Sequence, residues 1–371
     1  MLVNPPPEAR TRGLAPGSAA AWPGQATGRA AGQPTEQPAG LAAGQPAEQP
    51  AELAAGQPAE LAPGRPAGLP EPLAALRRTA VMGICNVTPD SFSDGGRHLE
   101  LAAALDHCQQ MLAQGADLID VGGESTRPGA ARVSADEELG RVIPLVTDLV
   151  ALGAVVSVDT MRAAVAAAAV DAGASVINDV SGGLADPAMA GVMAAAGVPV
   201  VLMHWRGHSD QMDGRDRYGD VVAEVAAELE LRVEATLAAG VAAEAVVLDP
   251  GLGFAKAGAS NWPLLANLDR LSALGFPLLI GASRKRFLDP ARGPDPLLAG
   301  RGPAGRDAAT AAVSVLAAMA GAWCVRVHAV AASAAAVRVA ELAQLAGPNR
   351  DRSSNRARSA SNRRQDGSMM A

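Results

Sequence analysis

Eight short apolar runs recur between residues 76 and 346, and each of them ends in or beside a polar residue. Runs of this length that are rich in branched side chains are typical of buried strands. The stretches between them are amphipathic or rich in Ala and Leu, which predicts helices. The predicted strands are residues 81–86, 118–120, 155–159, 176–179, 198–204, 246–249, 278–283 and 324–328.

This alternation of strand and helix predicts an α/β protein, and eight repeats favour a (β/α)8 TIM barrel. Residues 76–346 are close to the length of about 250 residues that is typical of this barrel. Continuously apolar strands also suit a parallel sheet that is covered on both faces. An open doubly wound sheet is the alternative, but no GxGxxG motif follows the first strand.

The two ends of the chain differ from this domain in composition. Residues 1–75 are rich in Ala, Gly, Pro and Gln, and the octapeptide at 41–48 returns at 53–60. Each copy has few large apolar side chains to bury, so we predict a disordered extension rather than a packed repeat. Residues 347–371 carry clustered arginines and predict a disordered basic tail.

Composition excludes several classes of protein. A net charge of −7 argues against a nucleic-acid-binding protein. No stretch approaches the roughly 18 consecutive apolar residues that a membrane span needs, and the first residues lack the apolar core of a signal peptide. The three cysteines have no metal-ligand spacing and predict neither a disulfide framework nor a zinc site. We therefore expect a cytoplasmic protein.

The polar residues at the strand ends are the candidate functional residues. In a TIM barrel the carboxyl ends of all strands open on one face, where active sites are built. A helix cap explains one such residue but not the whole set, because each helix needs only one cap. The set that we predict to converge comprises Asn86, Asp120, Asp159, Asn178, Asp249, Ser283, Lys285, Arg326 and His328.

This set has an acidic side and a basic side. Carboxylate and amide oxygens suit a flat heterocycle with adjacent N–H donors, because a carboxylate accepts two parallel donors. Lys285, Arg326 and His328 suit phosphate or carboxylate groups. Asn86 is a neutral oxygen ligand that suits Mg²⁺ when substrate phosphates supply other ligands. Structural pairing of the buried carboxylates is the alternative interpretation.

Aromatic residues make up only 2% of the chain, yet two of its four Phe fall in loops that we predict at the carboxyl ends of the strands, the mouth of the barrel. Phe92 lies in the loop after the first strand, and Phe254 follows the sixth. A ring in such a loop suits stacking on a flat substrate, while plugging of the barrel is the alternative. The loop after the second strand combines glycines with a guanidinium, that of Arg127.

Taken together, these segments resemble the dihydropteroate synthases, which are (β/α)8 enzymes of folate biosynthesis. The resemblance covers the whole predicted barrel and excludes both ends of the chain. Its motifs stand in the family's order, at residues 86–96, 120–129, 157–160, 177–182, 203–206, 248–254, 283–285 and 326–328.

The resemblance implies a homodimeric transferase that joins 4-aminobenzoate to 7,8-dihydropterin-6-ylmethyl diphosphate and releases diphosphate, with Mg²⁺ as cofactor. It implies that sulfonamides compete with 4-aminobenzoate. It also assigns the residues to roles. The residues that would bind the pterin are Asp159, Asn178, Asp249 and Lys285, and those that would bind the diphosphate are Asn86, Arg326 and His328. The residues that would bind 4-aminobenzoate are Thr126, Arg127, Pro128, Ser283, Phe92 and Phe254. The catalytic residues would be Asp90, Asp120, Asp159 and Lys285, and the metal ligand would be Asn86.

Three positions depart from the family's pattern. Ala329 and Ser260 replace an acidic residue and a histidine that the family often has, and Ala255 stands where a glycine is common. The alanine matters only if that backbone needs a positive φ. Two alternatives stay open at this point, a catalytically silent pterin-binding paralogue and a methyltetrahydrofolate-type methyltransferase domain.

Overall fold

The computed structural model describes residues 64–87, 96–124, 132–207, 215–256, 258–289 and 303–346. Within them, eight parallel strands pair in the order β6-β5-β4-β3-β2-β1-β8-β7. A bridge between Leu248 and Leu278 joins the two outer strands and closes the barrel. The strands are β1 (Ala80–Asn86), β2 (Leu118–Gly122), β3 (Val156–Asp159), β4 (Val176–Asp179), β5 (Val200–Met203), β6 (Val246–Asp249), β7 (Leu279–Ile280) and β8 (Cys324–Val327).

Helices surround this barrel and bury their apolar faces against it, which confirms the predicted TIM barrel. None of the described helices has both the length and the apolar character that crossing a membrane requires. The described α-helices are α1 (Gly96–Ala113), α2 (Ala135–Ala151), α3 (Ala163–Asp171), α4 (Met189–Ala196), α5 (Val221–Ala238), α6 (Asn261–Ala266), α7 (Leu268–Ser272), α8 (Asp307–Met319) and α9 (Val330–Ala346).

The two-residue period of the strands separates the barrel into layers. Side chains of one parity pack outward against the helices, and those of the other parity fill the barrel. Near the amino-terminal ends the inner residues are apolar, as with Leu118, Val176 and Val247. Two positions further along the same strands stand Asp120, Asn178 and Asp249. The same inner face therefore changes from an apolar floor to a polar mouth.

The start of helix α2 differs in one detail from what its sequence suggests. The serine, glutamate and spacing at 134–137 predict a reciprocal capping box. Ser134 does cap the helix, because its hydroxyl accepts from the N–H of Glu137 at 3.1 Å. The Glu137 carboxylate instead pairs with Arg141 one turn along the helix. Only the serine half of the box forms.

The packed domain begins before its predicted start at residue 76, because residues 64–75 also belong to it. Leu73 is buried within the apolar floor, and Leu69 and Leu76 pack against it. The guanidinium of Arg78 donates to both oxygens of Asp117, at 2.6 and 2.7 Å. A disordered extension therefore does not describe residues 64–75. The same prediction for residues 1–63, and that of a disordered tail at 347–371, lies outside the described residues.

We predict that Leu73→Ala lowers the free energy of unfolding by about 2–5 kcal/mol, because it leaves a cavity in the barrel floor. Chemical denaturation measures this change. Leu152→Ala is the matched control, since Leu152 is 55% exposed and its truncation should change stability by no more than about 0.5 kcal/mol. Equal effects of the two substitutions would show that Leu73 does not support the floor.

Candidate active site

Four strands contribute to a charged network inside the barrel mouth. Asp120 on β2, Asp159 on β3, Asn178 on β4 and Arg326 on β8 meet there although they are far apart in the sequence. The guanidinium of Arg326 donates through Nε to Asp120 Oδ2 at 2.5 Å and through Nη2 to Asp159 Oδ2 at 2.6 Å. The amide of Asn178 donates to the same Asp120 oxygen at 3.0 Å. These predicted site residues therefore converge.

Burial makes this network electrostatically unusual. Burial raises the pKa of Asp159 to about 7, although Arg326 opposes the shift, and the neighbouring Asp120 adds to it. The Asp120 side chain is fully buried, and among the described residues its Oδ1 atom has no hydrogen-bond partner. A buried acceptor without a donor is costly, so the mouth is suited to a ligand that brings an N–H group.

Asp249 and Lys285 form a second part of the mouth. Asp249 Oδ1 accepts from the N–H of Gly251 at 2.7 Å. The ammonium of Lys285 donates to the Leu252 carbonyl and lies 4.3 Å from the centroid of the Phe254 ring. Burial lowers the pKa of Lys285 to about 8, against the effect of Asp249. Burial raises the pKa of Asp249, with Lys285 opposing. Each group therefore favours the charged form of the other, against the effect of burial.

Ser283 and His328 meet at the same end of the barrel. The Ser283 hydroxyl accepts from the backbone N–H of His328 at 3.0 Å, and it also lies 3.0 Å from Nδ1 of that imidazole. A hydroxyl has one hydrogen and two lone pairs, so Ser283 can either donate to Nδ1 or accept from it while it accepts from the backbone. Ser283 thus sets the orientation of the His328 ring in either tautomer.

Asn86 ends strand β1 at the mouth, where the predicted Mg²⁺ would be held. Its Oδ1 atom would stand 3.4 Å from a Cβ placed on Gly122, so it lies close to the neighbouring strand. In the described part of the chain, no group of three or more His, Cys, Asp or Glu side chains forms a metal site. A single neutral oxygen fits an ion whose other ligands are substrate phosphates and waters, and does not fit a preformed protein cage.

Comparison with known proteins agrees with this geometry. The model of the pterin binding enzyme family matches residues 82–328. The dihydropteroate synthase of Mycobacterium leprae is 52% identical over 280 residues, which are 74% of this chain and 96% of that protein. The chain belongs to the dihydropteroate synthases.

Solved structures support the same family. The Xanthomonas albilineans dihydropteroate synthase with 4-aminobenzoic acid has a TM-score of 0.66 at 46% identity, over 73% of this chain and 95% of that one. The enzyme from the same organism in complex with 7,8-dihydropteroate has a TM-score of 0.64 at 44% identity, over the same shares. These relatives support a transferase of folate biosynthesis, and not the methyltransferase or silent-paralogue alternatives.

Several residues assigned by the resemblance lie outside the described part of this dihydropteroate synthase. They remain predictions, and they are Asp90, Phe92, Thr126, Arg127 and Pro128.

Sequence reasoning missed a charged cluster beside the site of this dihydropteroate synthase. Arg162 donates to Glu124 at 2.7 Å and pairs with Glu138, and the hydroxyl of Thr160 donates to Glu138 at 2.6 Å. Glu138 is buried on the face of α2 that also buries Val142. A carboxylate at an apolar position of an amphipathic helix was the signal that could have identified it. The cluster lies directly after β3 and lines one cavity together with Asp159.

Ala255 occupies the conformation that its family's usual glycine would favour. Its φ is 45°, in the left-handed region, and its side chain is buried. The backbone at residue 255 therefore has the positive φ at which alanine, unlike glycine, is strained. An L-residue in this conformation is strained by about 1–2 kcal/mol.

We predict that Ala255→Gly raises the free energy of unfolding of this dihydropteroate synthase by about 0.5–1 kcal/mol, because relief of strain outweighs the added freedom of the unfolded chain. Denaturant unfolding checks this value. Ala227→Gly, at an exposed position inside α5, is the matched control and should lower stability by about 1 kcal/mol. Destabilisation by both substitutions would contradict the strain at Ala255.

Proposed function

We propose that this dihydropteroate synthase condenses 7,8-dihydropterin-6-ylmethyl diphosphate with 4-aminobenzoate, giving 7,8-dihydropteroate and diphosphate. The observation that carries this proposal is the buried Asp120–Arg326–Asp159 network, in which one carboxylate oxygen, Oδ1 of Asp120, has no donor among the described residues. The relatives bound to 4-aminobenzoic acid and to 7,8-dihydropteroate support the same substrates.

The pterin is assigned to the acidic side of the mouth. Its ring presents adjacent N–H donors, which suit the carboxylates of Asp159 and Asp249 and the side-chain amide of Asn178. The unpartnered Oδ1 of Asp120 provides one more acceptor. Lys285 lies near Asp249, because both would come within 4 Å of a Cβ on Gly281. It donates to acceptor atoms of the ring.

The reaction breaks the bond between the pterin methylene carbon and the diphosphate oxygen. The electron pair leaves with diphosphate, and positive charge develops on the methylene and spreads into the ring. Fixed carboxylates near the ring stabilise this charge more than they stabilise the neutral substrate, which lowers the barrier. The lone pair of the amine of 4-aminobenzoate then forms the C–N bond, and the amine loses a proton to solvent or a nearby acceptor. Asp120 and Asp159 are the carboxylates that we assign to this role.

The diphosphate is assigned to the basic side of the mouth. The guanidinium of Arg326 uses Nε and Nη2 for the two aspartates, so we assign its Nη1 group to the diphosphate. His328 is held beside it by Ser283. Bound Mg²⁺ supplies charge neutralisation to the leaving group, and Asn86 is the residue that would hold it. Arg326 therefore connects the site of the developing cation to that of the leaving anion.

The 4-aminobenzoate is assigned to Ser283 and Phe254 together with four residues outside the described ranges. The Phe254 ring stacks with its face toward the Lys285 ammonium, so a flat substrate would share this aromatic surface. Asp90, which also lies outside the described residues, would complete the site around the cation. The remaining residues of this subsite are Thr126, Arg127, Pro128 and Phe92.

We predict that Asp159→Asn lowers turnover by about 10²–10³-fold, because the amide cannot stabilise the developing cation as a carboxylate does. Diphosphate release, measured with both substrates and Mg²⁺, checks this, and product is identified by its mass. Asp171→Asn, at an exposed position at the end of α3, should leave the rate unchanged. Wild-type protein that binds the pterin diphosphate without releasing diphosphate would contradict the proposed reaction, and full activity in a chelator would remove Mg²⁺ from it.

We also propose that the enzyme is a homodimer that packs through α8 and α9, and that it resides in the cytoplasm. The two helices pack on each other, and exposed large apolar side chains remain on both of them. Such side chains suit a contact between identical subunits. All three cysteines are buried thiols, as is usual in a reducing compartment. The exposed residues are Leu316, Met319, Val339, Leu342 and Leu345.

Sedimentation velocity should give about twice the chain mass of 37.3 kDa. Leu316→Arg should shift the protein to the mass of one chain, because it places a charge in the proposed contact. Leu152→Arg, at an exposed leucine on another helix end, should leave the mass unchanged. A wild-type protein that sediments as a single chain at micromolar concentration would exclude the proposed dimer.

A further inference from the structure

A second buried lysine lies behind the loop that follows β6. The side chain of Lys256 is nearly inaccessible, at 6% exposure. Its ammonium contacts three acceptors, which are Nδ1 of His204 at 2.9 Å, the carbonyl of Gly251 at 3.0 Å and the carbonyl of Phe254 at 3.1 Å. An ammonium has three hydrogens, so each of them is used. The protonated form of Lys256 is thus fully satisfied in this position.

His204 and Glu228 hold this lysine from the far side. Since the ammonium donates to Nδ1 of His204, the ring hydrogen stands on Nε2, which lies 2.9 Å from Glu228 Oε2. Burial lowers the pKa of His204 to about 4, and Lys256 adds to this shift, so the imidazole is neutral at pH 7. The carboxylate of Glu228 is in turn bound by Arg206 at 3.1 Å. The imidazole therefore serves as an oriented acceptor.

Lys256 is connected to the pterin side of the mouth through a single residue, Gly251. Asp249 Oδ1 accepts from the N–H of Gly251, while the carbonyl of the same glycine accepts from Lys256. Gly251 has a φ of +65°, and a Cβ there would stand 2.3 Å from the His204 carbonyl oxygen. The glycine is thus held on one side by the aspartate and on the other by the lysine. A shift of the turn would therefore move the Asp249 carboxylate.

A contribution to folding stability does not by itself explain why a lysine occupies this buried position. Burial lowers the pKa of Lys256 to about 7, although Asp249 opposes the shift. Replacing buried charges by apolar residues of similar volume is often neutral or stabilising. The three directed hydrogen bonds are what methionine, an apolar residue of similar length, would lack.

We propose that Lys256 is a positioning residue, whose buried ammonium fixes the turn at Gly251 and Phe254 and thereby holds the Asp249 carboxylate toward the pterin. This inference rests on the proposed function, in which Asp249 binds the pterin ring. Lys256 itself touches neither substrate, and its effect passes through the turn.

A double-mutant cycle on the full-length protein tests this inference. Titration calorimetry with the pterin diphosphate compares the wild type, Lys256→Met, Asp249→Ala and the double variant. Lys256→Met should weaken binding by about tenfold in the wild-type background but by less than about threefold when Asp249 is already alanine, because the two residues act through one contact. Losses that add fully, or unchanged binding in Lys256→Met, would overturn the proposal.

Two controls separate this result from other causes. Arg78→Met removes a partly buried cation at the opposite end of the barrel and should lower the unfolding temperature without weakening binding. If Lys256→Met does not fold, the same cycle is run with Lys256→Gln, whose amide keeps part of the hydrogen bonding. Wild-type protein that fails to bind the pterin diphosphate would contradict the proposed function, whereas the cycle contradicts only the role of Lys256.

Discussion

The mouth of the barrel depends on one guanidinium that neutralises two buried carboxylates. Without Arg326, the carboxylates of Asp120 and Asp159 would repel each other in a poorly solvated cavity. With it, they are held in place but incompletely satisfied, since one Asp120 oxygen lacks a donor among the described residues. Such an arrangement does not improve stability over an apolar core. In the proposed function, its role is the charge that it would present to a cationic transition state.

The barrel provides the rigidity that this arrangement needs. Each inner strand position is fixed by ladder bonds to two neighbours, and the register places Asp159 opposite both Gly122 and Asn178. Below this polar layer, the floor that includes Leu73 and Leu118 excludes water and keeps the strand ends apart at a fixed spacing. The charges can therefore stay close without relaxing away from each other.

The sequence carried more information about the positions of site residues than about their partners. Asp120, Asp159 and Asn178 were predictable, because an apolar strand that ends in a polar residue is a local pattern and the barrel brings the strand ends together. The partner of Arg326 was not predictable in this way. Arg326 was assigned to the basic side of the mouth, yet its guanidinium binds Asp120, which is 206 positions away in the sequence. Pairings of this kind depend on tertiary geometry, which a local pattern does not contain. The packing of residues 64–75 was missed for a related reason, since a Pro- and Gly-rich composition hides a single leucine that fits the barrel floor.

The loop after β6 shows how a short motif can meet two requirements at once. One lysine approaches this loop from the mouth and another from behind it. A Cβ on Gly253 would stand 2.9 Å from Cδ of Lys285, and a Cβ on Gly251 would stand 2.3 Å from the carbonyl oxygen of His204, the residue that pairs with Lys256. Both glycines also have positive φ, at 76° and 65°, which other residues adopt at a cost. The two glycines therefore allow the loop to pass closely between Lys285 and the His204–Lys256 pair, where the positive charges of both lysines act on Asp249.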